Sequence, residues 1–471
     1  MSVGTHIAIL GAGPGGYVAA IRAAQLGARV TVIESQSLGG VCLNWGCIPS
    51  KALLAVVELG EKVKTAGPMG LQVSGPVTYN LRQMVERKNQ VVAGLVKGIA
   101  TLFKAWEIEQ VHGVGIIQDR RTVQVKVTDG TTRSVSADAI VIATGSSWPN
   151  LPQFPIDGSQ ILTSQQLLDL QQIPPRLLII GGGVEGCEFA SLYSALGTEV
   201  TMVELMDRIL PLEDEEVSST MARELKKRNV NVVTGTTVER LERHGETVAA
   251  YLKNGTTLEV QKLLISVGRG FNSRGIGLEQ VGVQTGQRGE ILINEQMETS
   301  TPGIYAIGDV TGKSMLAHVA SAQGKVAVEN IMGHRTTIRY DVIPAGIFTL
   351  PEIGRVGLTE SQAGEWAAEA NASVKIGRFR YTALGKAQAT GDTTGWCKVI
   401  AASSGKILGV HIIGAHAADL IHEAALAMQV GATVAQVAEM IHAHPTLAEG
   451  FMEAAEDTDA RAIHLVRKKI G

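Results

Sequence analysis

The feature that most constrains this chain is a unit that occurs twice. His6-Ile7-Ala8-Ile9-Leu10 reads as a short apolar strand and runs into Gly11-Ala12-Gly13-Pro14-Gly15-Gly16. An alanine-rich helix pattern follows from Tyr17 to Leu26 and stops at Gly27; a second strand, 29–33, then ends in Glu34. The same order recurs from Leu177-Leu178-Ile179-Ile180 through Gly181-Gly182-Gly183-Val184-Glu185-Gly186. A helix then runs to Leu196, stops at Gly197, and the strand 200–203 ends in Glu204. From first glycine to terminal acid is 23 positions in each copy, and from first glycine to helix-stop glycine is 16. One glycine-rich turn says little, but two complete units with matched spacing predict two βαβ dinucleotide sites. Gly11, Gly13 and Gly16, like Gly181, Gly183 and Gly186, allow the tight turn, the approach of a pyrophosphate and helix–strand packing. The acid takes the ribose hydroxyls, and a glutamate in the second copy repels a 2′-phosphate, so NAD is expected over NADP.

The rest of the chain fills in around these units. Its 471 residues suggest roughly three domains. Residues 52–105 read as helix interrupted at 67–76, 111–127 as a strand meander, and 139–146 as a buried strand with a glycine turn. The proline-rich segment from Trp148 to Pro155 reads as a linker. A charged helix, 213–229, follows the second unit, and the strand 263–269 mirrors 139–146. The strand 303–309 and a helix at 316–332 come next. Strands are then expected at 345–349, 374–381, 396–401 and 407–413, and helices at 418–430 and 433–442. An apolar content of 45% with 18% charge fits a packed globular protein, and a net charge of −3 argues against nucleic-acid or anionic-membrane partners. Four cysteines are too few for a secreted disulfide framework. No signal or transit pattern opens the chain and no apolar run of membrane-spanning length is expected, so the location reads as cytoplasmic.

Between the units stands Gly39-Gly40-Val41-Cys42-Leu43-Asn44-Trp45-Gly46-Cys47-Ile48-Pro49-Ser50-Lys51. Cys42 and Cys47 lie five positions apart, ahead of an apolar run, 52–57, that can continue as helix. They can bridge if Asn44 and Gly46 turn the backbone. So short a ring gains little chain entropy, which makes stapling a poor reason for a bridge. At a helix start the dipole and free amides favour thiolate, the species that exchange chemistry needs. Two unrelated buried thiols and half a metal site are the alternatives; the spacing is not CxxC and no His/Cys cluster stands beside it. Two nucleotide sites with a reactive thiol pair suggest electrons passing from thiols to nicotinamide through a two-electron relay, for which flavin is the natural group.

With these residues in view, the chain resembles the FAD-dependent pyridine nucleotide–disulfide oxidoreductases, and among them the dihydrolipoamide dehydrogenases. The likeness runs end to end: GAGPGG at 11–16, GGVCLNWGCIPSK at 39–51, ATGS at 143–146, GGGVEGCE at 181–188, SVGR at 266–269, YAIGD at 305–309, LAHVA at 316–320 and HAHPTLAE at 442–449. It implies an α/β fold of two Rossmann-like nucleotide-binding domains plus a C-terminal α+β dimerisation domain. The implied boundaries are 1–148 and 271–345 for the two parts of the FAD domain, 149–270 for the NAD domain and 346–471 for dimerisation. The implied reaction oxidises protein-bound dihydrolipoamide to lipoamide and reduces NAD, with FAD and without a metal. Such an enzyme is a homodimer serving the lipoyl domains and acyltransferase core of 2-oxoacid dehydrogenases, or the lipoyl carrier protein of glycine cleavage. A sibling reductase of another small disulfide is the alternative.

The resemblance also implies roles. Cys42 exchanges with the dithiol, Cys47 lies against the flavin, and His444, oriented by Glu449, serves as base from the partner subunit. Lys51, which alone reads as a solvated helix lysine, pairs with Glu188 beside the flavin, on the NAD side. Asp309 and Gly145 hold the flavin, together with Gly11, Gly13, Gly16 and Glu34; Gly268 joins Gly181, Gly183, Gly186 and Glu204 on the NAD side. Cys187 and Cys397 read as buried small hydrophobes, and His416, His422 and His442 as ordinary polar or interface residues. Four positions depart from the pattern: Trp45 inside the cysteine loop, Glu185 inside the second glycine loop, Gly270-Phe271 after SVGR, and Val319 in place of a lysine. Trp45 is expected to pack beneath the loop.

Overall fold

The computed structural model describes residues 4–149 and 151–466. Three sheets organise it. The first unit supplies β1 (His6–Leu10), α1 (Pro14–Gln25) and β2 (Arg29–Glu34). α1 begins at Pro14 instead of the expected Tyr17, because proline's fixed φ and missing N–H suit the first helical turn. After it come α2 (Gly40–Trp45), α3 (Cys47–Lys64), α4 (Leu81–Ala105), β3 (Glu109–Asp119), β4 (Thr122–Val127), β5 (Thr132–Ser136) and β6 (Ala139–Ile142). The sheet order is Ile304–Ala306, β6, β1, β2, β3, β4, β5. The strands from Ile304–Ala306 to β3 pair in parallel, and β3–β4–β5 continue as an antiparallel meander. Parallel strands are covered on both faces, which is why Ile7–Leu10 and Ile140–Ile142 are unbroken apolar runs, all buried. α1 lies so close to the helix Ala317–Ile331 that a Cβ on Gly324 would stand 2.6 Å from the Gly15 carbonyl oxygen.

The second unit repeats the plan with β7 (Ile161–Leu162), β8 (Arg176–Ile180), α5 (Val184–Ala195), β9 (Glu199–Val203), α6 (Glu215–Lys227), β10 (Asn231–Val233) and β11 (Lys262–Ile265). Its five strands run β10, β9, β8, β11, β7, all parallel. α5 is apolar nearly all round and buried along most of its length, including Cys187.

The third sheet is antiparallel: β12 (Ala345–Ile347), β13 (Ile353–Gly357), β14 (Val374–Arg380), β15 (Gly395–Ala402) and β16 (Ile407–Gly414), in the order β12, β13, β16, β15, β14. β13 escapes the sequence pattern because two of its five residues are glycine. Gly354 is needed there: a Cβ would fall 2.2 Å from the Ala417 carbonyl of α7 (Ala417–Val430), which lies directly on the strand. The sequence pattern also does not predict α8 (Glu449–Asp457), the last helix among the described residues.

α2 and α3 together, Gly40–Lys64, are long and apolar enough to pass for a membrane span, contrary to the expectation that no run reaches that length. Gly46, at φ −139° and ψ −109°, breaks the run, and Leu53, Leu54 and Val57 are buried in a core shared with residues of the second and third sheets. Composition alone therefore misjudges it.

Candidate active site

The cysteine stretch is folded onto the first glycine loop. Gly39 (φ +89°) donates its N–H to the Ala12 carbonyl at 2.8 Å, and a Cβ on Gly40 would stand 2.7 Å from Gly13 Cα. Asn44 Nδ2 donates to the carbonyls of Leu38 and Gly40 at 3.0 and 2.9 Å, which holds α2 as a short helix. Gly46 then turns the chain, so that Cys47 is the first residue of α3. Cys42 and Cys47 are both thiols here and their side chains meet, Cys42 donating to Cys47. That hydrogen bond pulls the Cys47 thiol below its ordinary range; burial and Glu188 oppose the shift and the Lys51 ammonium supports it. The same contact, with burial, pushes Cys42 well up. Of the two sulfurs sharing this contact, Cys47 is therefore the one that ionises more readily.

Behind Cys47, one turn along α3, Lys51 Nζ lies 2.8 Å from each carboxylate oxygen of Glu188 on α5. It also sits 4.5 Å above the Phe348 ring, whose own backbone N–H donates to Glu188 Oε1 at 3.0 Å. The pair thus ties together elements from all three sheets. Glu188 is 9% exposed and Lys51 29%, so the reading of Lys51 as a solvated helix residue fails.

Both nucleotide units have room and donors for a pyrophosphate. A Cβ on Gly13 would meet nothing nearer than Gly40 Cα at 4.0 Å, and one on Gly183 nothing within 4 Å. These glycines cap α1 and α5 with no side chain in the way of the free amides. By contrast, a Cβ on Gly16 or Gly186 would stand 2.0 Å from the carbonyl oxygen of Gly11 or Gly181. Each terminal acid does a second job. Glu34 accepts from the Ala12 and Gln36 amides at 2.6 and 2.7 Å, and Glu204 from Gly182 and Met206 at 2.6 and 2.8 Å. The carboxylates therefore pin the glycine loops to the strand ends before any ribose arrives. The donor set and the open cradles fit FAD at the first unit and NAD at the second.

Where the two units meet, Ser146 Oγ donates to Asp309, and Arg269 donates from Nε to Ser146 Oγ and from Nη2 to its carbonyl, both at 2.7 Å. The guanidinium lies 4.8 Å over Trp148 and is attracted by Asp309, Glu185 and Cys47, while burial lowers its pKa. Arg269 carried no role in the sequence reading, although its motif was visible. Gly145 (φ +69°) and Gly268 (φ +101°) flank this node, each with open space where a Cβ would be. Glu185 accepts from Ser266 Oγ at 2.9 Å, Phe271 pairs with Ser146, and Val319 is 2% exposed. Trp45, at the end of α2, is half-buried.

His444 stands apart from this group. Its Nδ1 is 2.8 Å from Glu449 Oε1, and it is 73% exposed. Burial raises the Glu449 carboxyl, but the Thr446 amide, at 2.8 Å, and the imidazole outweigh it and hold the pKa down. Neither thiol is among the hydrogen-bond partners of His444 within the chain. His442, in contrast, is turned inward onto Glu423 at 2.9 Å, and His416 and His422 make only local contacts on α7. Among the described residues no cluster of His, Cys, Asp and Glu could hold a metal ion.

Residues 5–324 match the family described as pyridine nucleotide-disulphide oxidoreductase, and residues 343–455 match the dimerisation domain of the same family. This chain belongs to the pyridine nucleotide-disulphide oxidoreductases. It is similar to the dihydrolipoyl dehydrogenase of Chlamydia muridarum, at 41% identity over 451 residues covering 95% of each chain. The dihydrolipoyl dehydrogenase of Geobacillus stearothermophilus is 40% identical over 471 residues, covering 99% of each. Among solved structures, LpdA from Mycobacterium tuberculosis superposes with a TM-score of 0.90 at 30% identity, covering 96% of this chain and 99% of that one. The cofactors of an oxidoreductase of this family, FAD and NAD, are those the two units fit. The dimerisation domain supports a homodimer.

Proposed function

We propose that this chain is a dihydrolipoyl dehydrogenase that oxidises dihydrolipoamide on a lipoyl carrier and reduces NAD. The observation that carries the reading is the Cys42–Cys47 contact at the start of α3, with Cys47 backed by Lys51 and Glu188 and placed between two dinucleotide cradles. In the oxidised enzyme Cys42 and Cys47 are joined. A substrate thiol gives its proton to His444 of the other subunit, and the thiolate attacks Cys42 Sγ, releasing Cys47 as thiolate. The second substrate thiol closes the lipoyl ring and expels Cys42, which takes a proton. The substrate has then lost two electrons and two protons. FAD, when bound, supplies the two-electron relay from Cys47 to the nicotinamide. Lys51 stabilises negative charge at Cys47, Glu188 holds Lys51 in place, and Glu449 orients the His444 imidazole. Asp309, Gly145 and the first glycine loop hold the flavin; Glu204 and Gly268 belong to the NAD side. Domain limits at 148, 270 and 345 belong to this reading, as do a cytoplasmic location and docking to a 2-oxoacid dehydrogenase core or a glycine-cleavage carrier.

The test is turnover of lipoamide, glutathione disulfide and related disulfides, each with NADH and with NADPH. Lipoamide with NADH should be preferred; a faster reaction with another small disulfide overturns the substrate. Cys47→Ser should abolish lipoamide turnover while the flavin stays bound and is still reduced by NADH. His444→Gln should slow flavin reduction by dihydrolipoamide by about 10²–10⁴-fold, the usual worth of a general base, and spare reduction by NADH.

A further inference from the structure

A cavity of about 560 Å³ opens between α6 and the third sheet, away from the thiols and both glycine loops. Its volume falls inside the range of about 300–1,000 Å³ typical of small-molecule sites. One wall is a single face of α6: Glu216, Ser219, Thr220, Arg223, Glu224 and Lys227 recur at helical i, i+3, i+4 spacing. The facing wall is the end of β14, where Arg378 and Arg380 share the strand face opposite buried Phe379. Thr382, Thr394 and Trp396 complete that side, and the Trp396 indole N–H donates to Thr220 Oγ1 at 3.3 Å.

The charges in this cavity do not balance. Glu216 is held by Arg378 at 2.8 Å and Glu224 by Lys227 at 2.7 Å, so both carboxylates are committed. Among the described residues Arg223 donates from its side chain only to the Thr220 hydroxyl, at 2.9 Å, and Arg380 has no carboxylate partner. Two guanidinium groups, one from each wall, thus line one concave space with no carboxylate bonded to either among the described residues, beside several hydroxyls. The planar fork of arginine matches phosphate and carboxylate oxygens in bidentate fashion.

We propose that this cleft binds a compact polyanion, a small molecule bearing phosphate groups or several carboxylates, which bridges α6 to β14. Arg223 and Arg380 are its anchors, and the hydroxyls of Ser219, Thr382 and Thr394 complete its shell. The bound anion extends the ion network that already joins these elements, in which Arg378 reaches Glu216 and Glu360. The site is therefore placed to couple ligand level to the docking of the NAD-binding unit on the third sheet.

The experiment is isothermal titration of the full-length holoenzyme, at low salt and with NAD saturating so that its own pyrophosphate cradle is filled. Inorganic pyrophosphate and citrate are the two probes, and chloride at matched ionic strength is the reference. Saturable binding of either probe is expected, the stronger one identifying the phosphate or the carboxylate source. Arg223→Ala or Arg380→Ala should each weaken it by about tenfold or more, as loss of a charged hydrogen bond does, and the double variant should remove it. Arg120→Ala, an exposed arginine elsewhere, should leave it unchanged. The probe that binds should also raise the melting temperature of the parent enzyme and not of the double variant. Binding no better than chloride, or binding indifferent to both substitutions, overturns the site.

Discussion

At the residue scale, the informative contrast is between Cys42 and Cys47. They have the same side chain, yet only Cys47 stands at a helix start with Lys51 one turn behind it. A thiol lowered in the folded protein is stabilising above its unfolded pKa of about 8.5, and that contribution fades as pH falls through the lowered folded value. Lys51→Met should therefore raise the pH at which reduced Cys47 ionises, because it removes a cation and leaves Glu188 as an unopposed anion beside the sulfur. Thiolate absorbance or alkylation followed against pH in the reduced enzyme measures this, and an unshifted midpoint would show that Cys42 alone sets it. The cysteine spacing could be read from the chain because chemistry and loop lie within 13 residues of sequence. The partner of Lys51 could not, since Glu188 is 137 positions away and only the meeting of the sheets brings it near. Family resemblance, not local pattern, gave that pair. Arg269 stayed silent for the same reason: its partners, Ser146 and Asp309, come from segments that meet only in three dimensions.

At the scale of elements, the repeated unit was read nearly to the residue. A strand, a glycine loop, a helix and an acid make a local pattern, and each copy buries its strands on both sides. The third sheet was harder, as β13 shows, because backbone proximity to α7 selects glycine against strand propensity. Harder still was Lys398, in the middle of β15 and 1% exposed. Its ammonium reaches Asp214 at 2.9 Å and also Glu360, and Asp214 caps α6 by accepting from the Glu216 amide at 3.0 Å. Burial raises the Asp214 carboxyl, but Lys398 and the Glu360 amide outweigh it and hold it below the ordinary range. Removing one partner of a buried pair costs about 3–5 kcal/mol, so Lys398→Ala should destabilise by that order in urea unfolding. The pH dependence has a definite sign. With its folded pKa depressed, Asp214 contributes fully above its unfolded value of about 3.9 and loses that contribution as pH falls through the lower folded value. The parent should therefore keep the clamp at pH 5, and Lys398→Ala should flatten the acid limb of the stability profile below about pH 4.

At the scale of the whole molecule, the proposed mechanism divides the two half-reactions between the chains of a dimer. Both nucleotide cradles and both thiols lie within a chain, whereas His444 is exposed at 73% and, among the described residues, its side chain bonds only to its own Glu449. The dimerisation domain also leaves apolar side chains in the open: Ile441 is 96% exposed, Val430 69% and Leu426 63%. A surface of that kind on a packed domain calls for a second copy. If the copies meet there, His444 of one subunit reaches the thiols of the other, and the two half-reactions respond differently to dissociation. Ile441→Asp should weaken the dimer by placing a charge in an apolar contact, with little effect on the fold of the chain, since the side chain makes no core contact. In the monomeric fraction, isolated by size exclusion at low protein concentration, NADH should still reduce the flavin at close to the parent rate. Reduction by dihydrolipoamide should fall by about the 10²–10⁴-fold that loss of a general base brings, matching His444→Gln. Raising the concentration should restore it by mass action, whereas His444→Gln should stay slow at every concentration. Equal loss of both half-reactions would instead place the defect inside the chain and detach His444 from the thiol step.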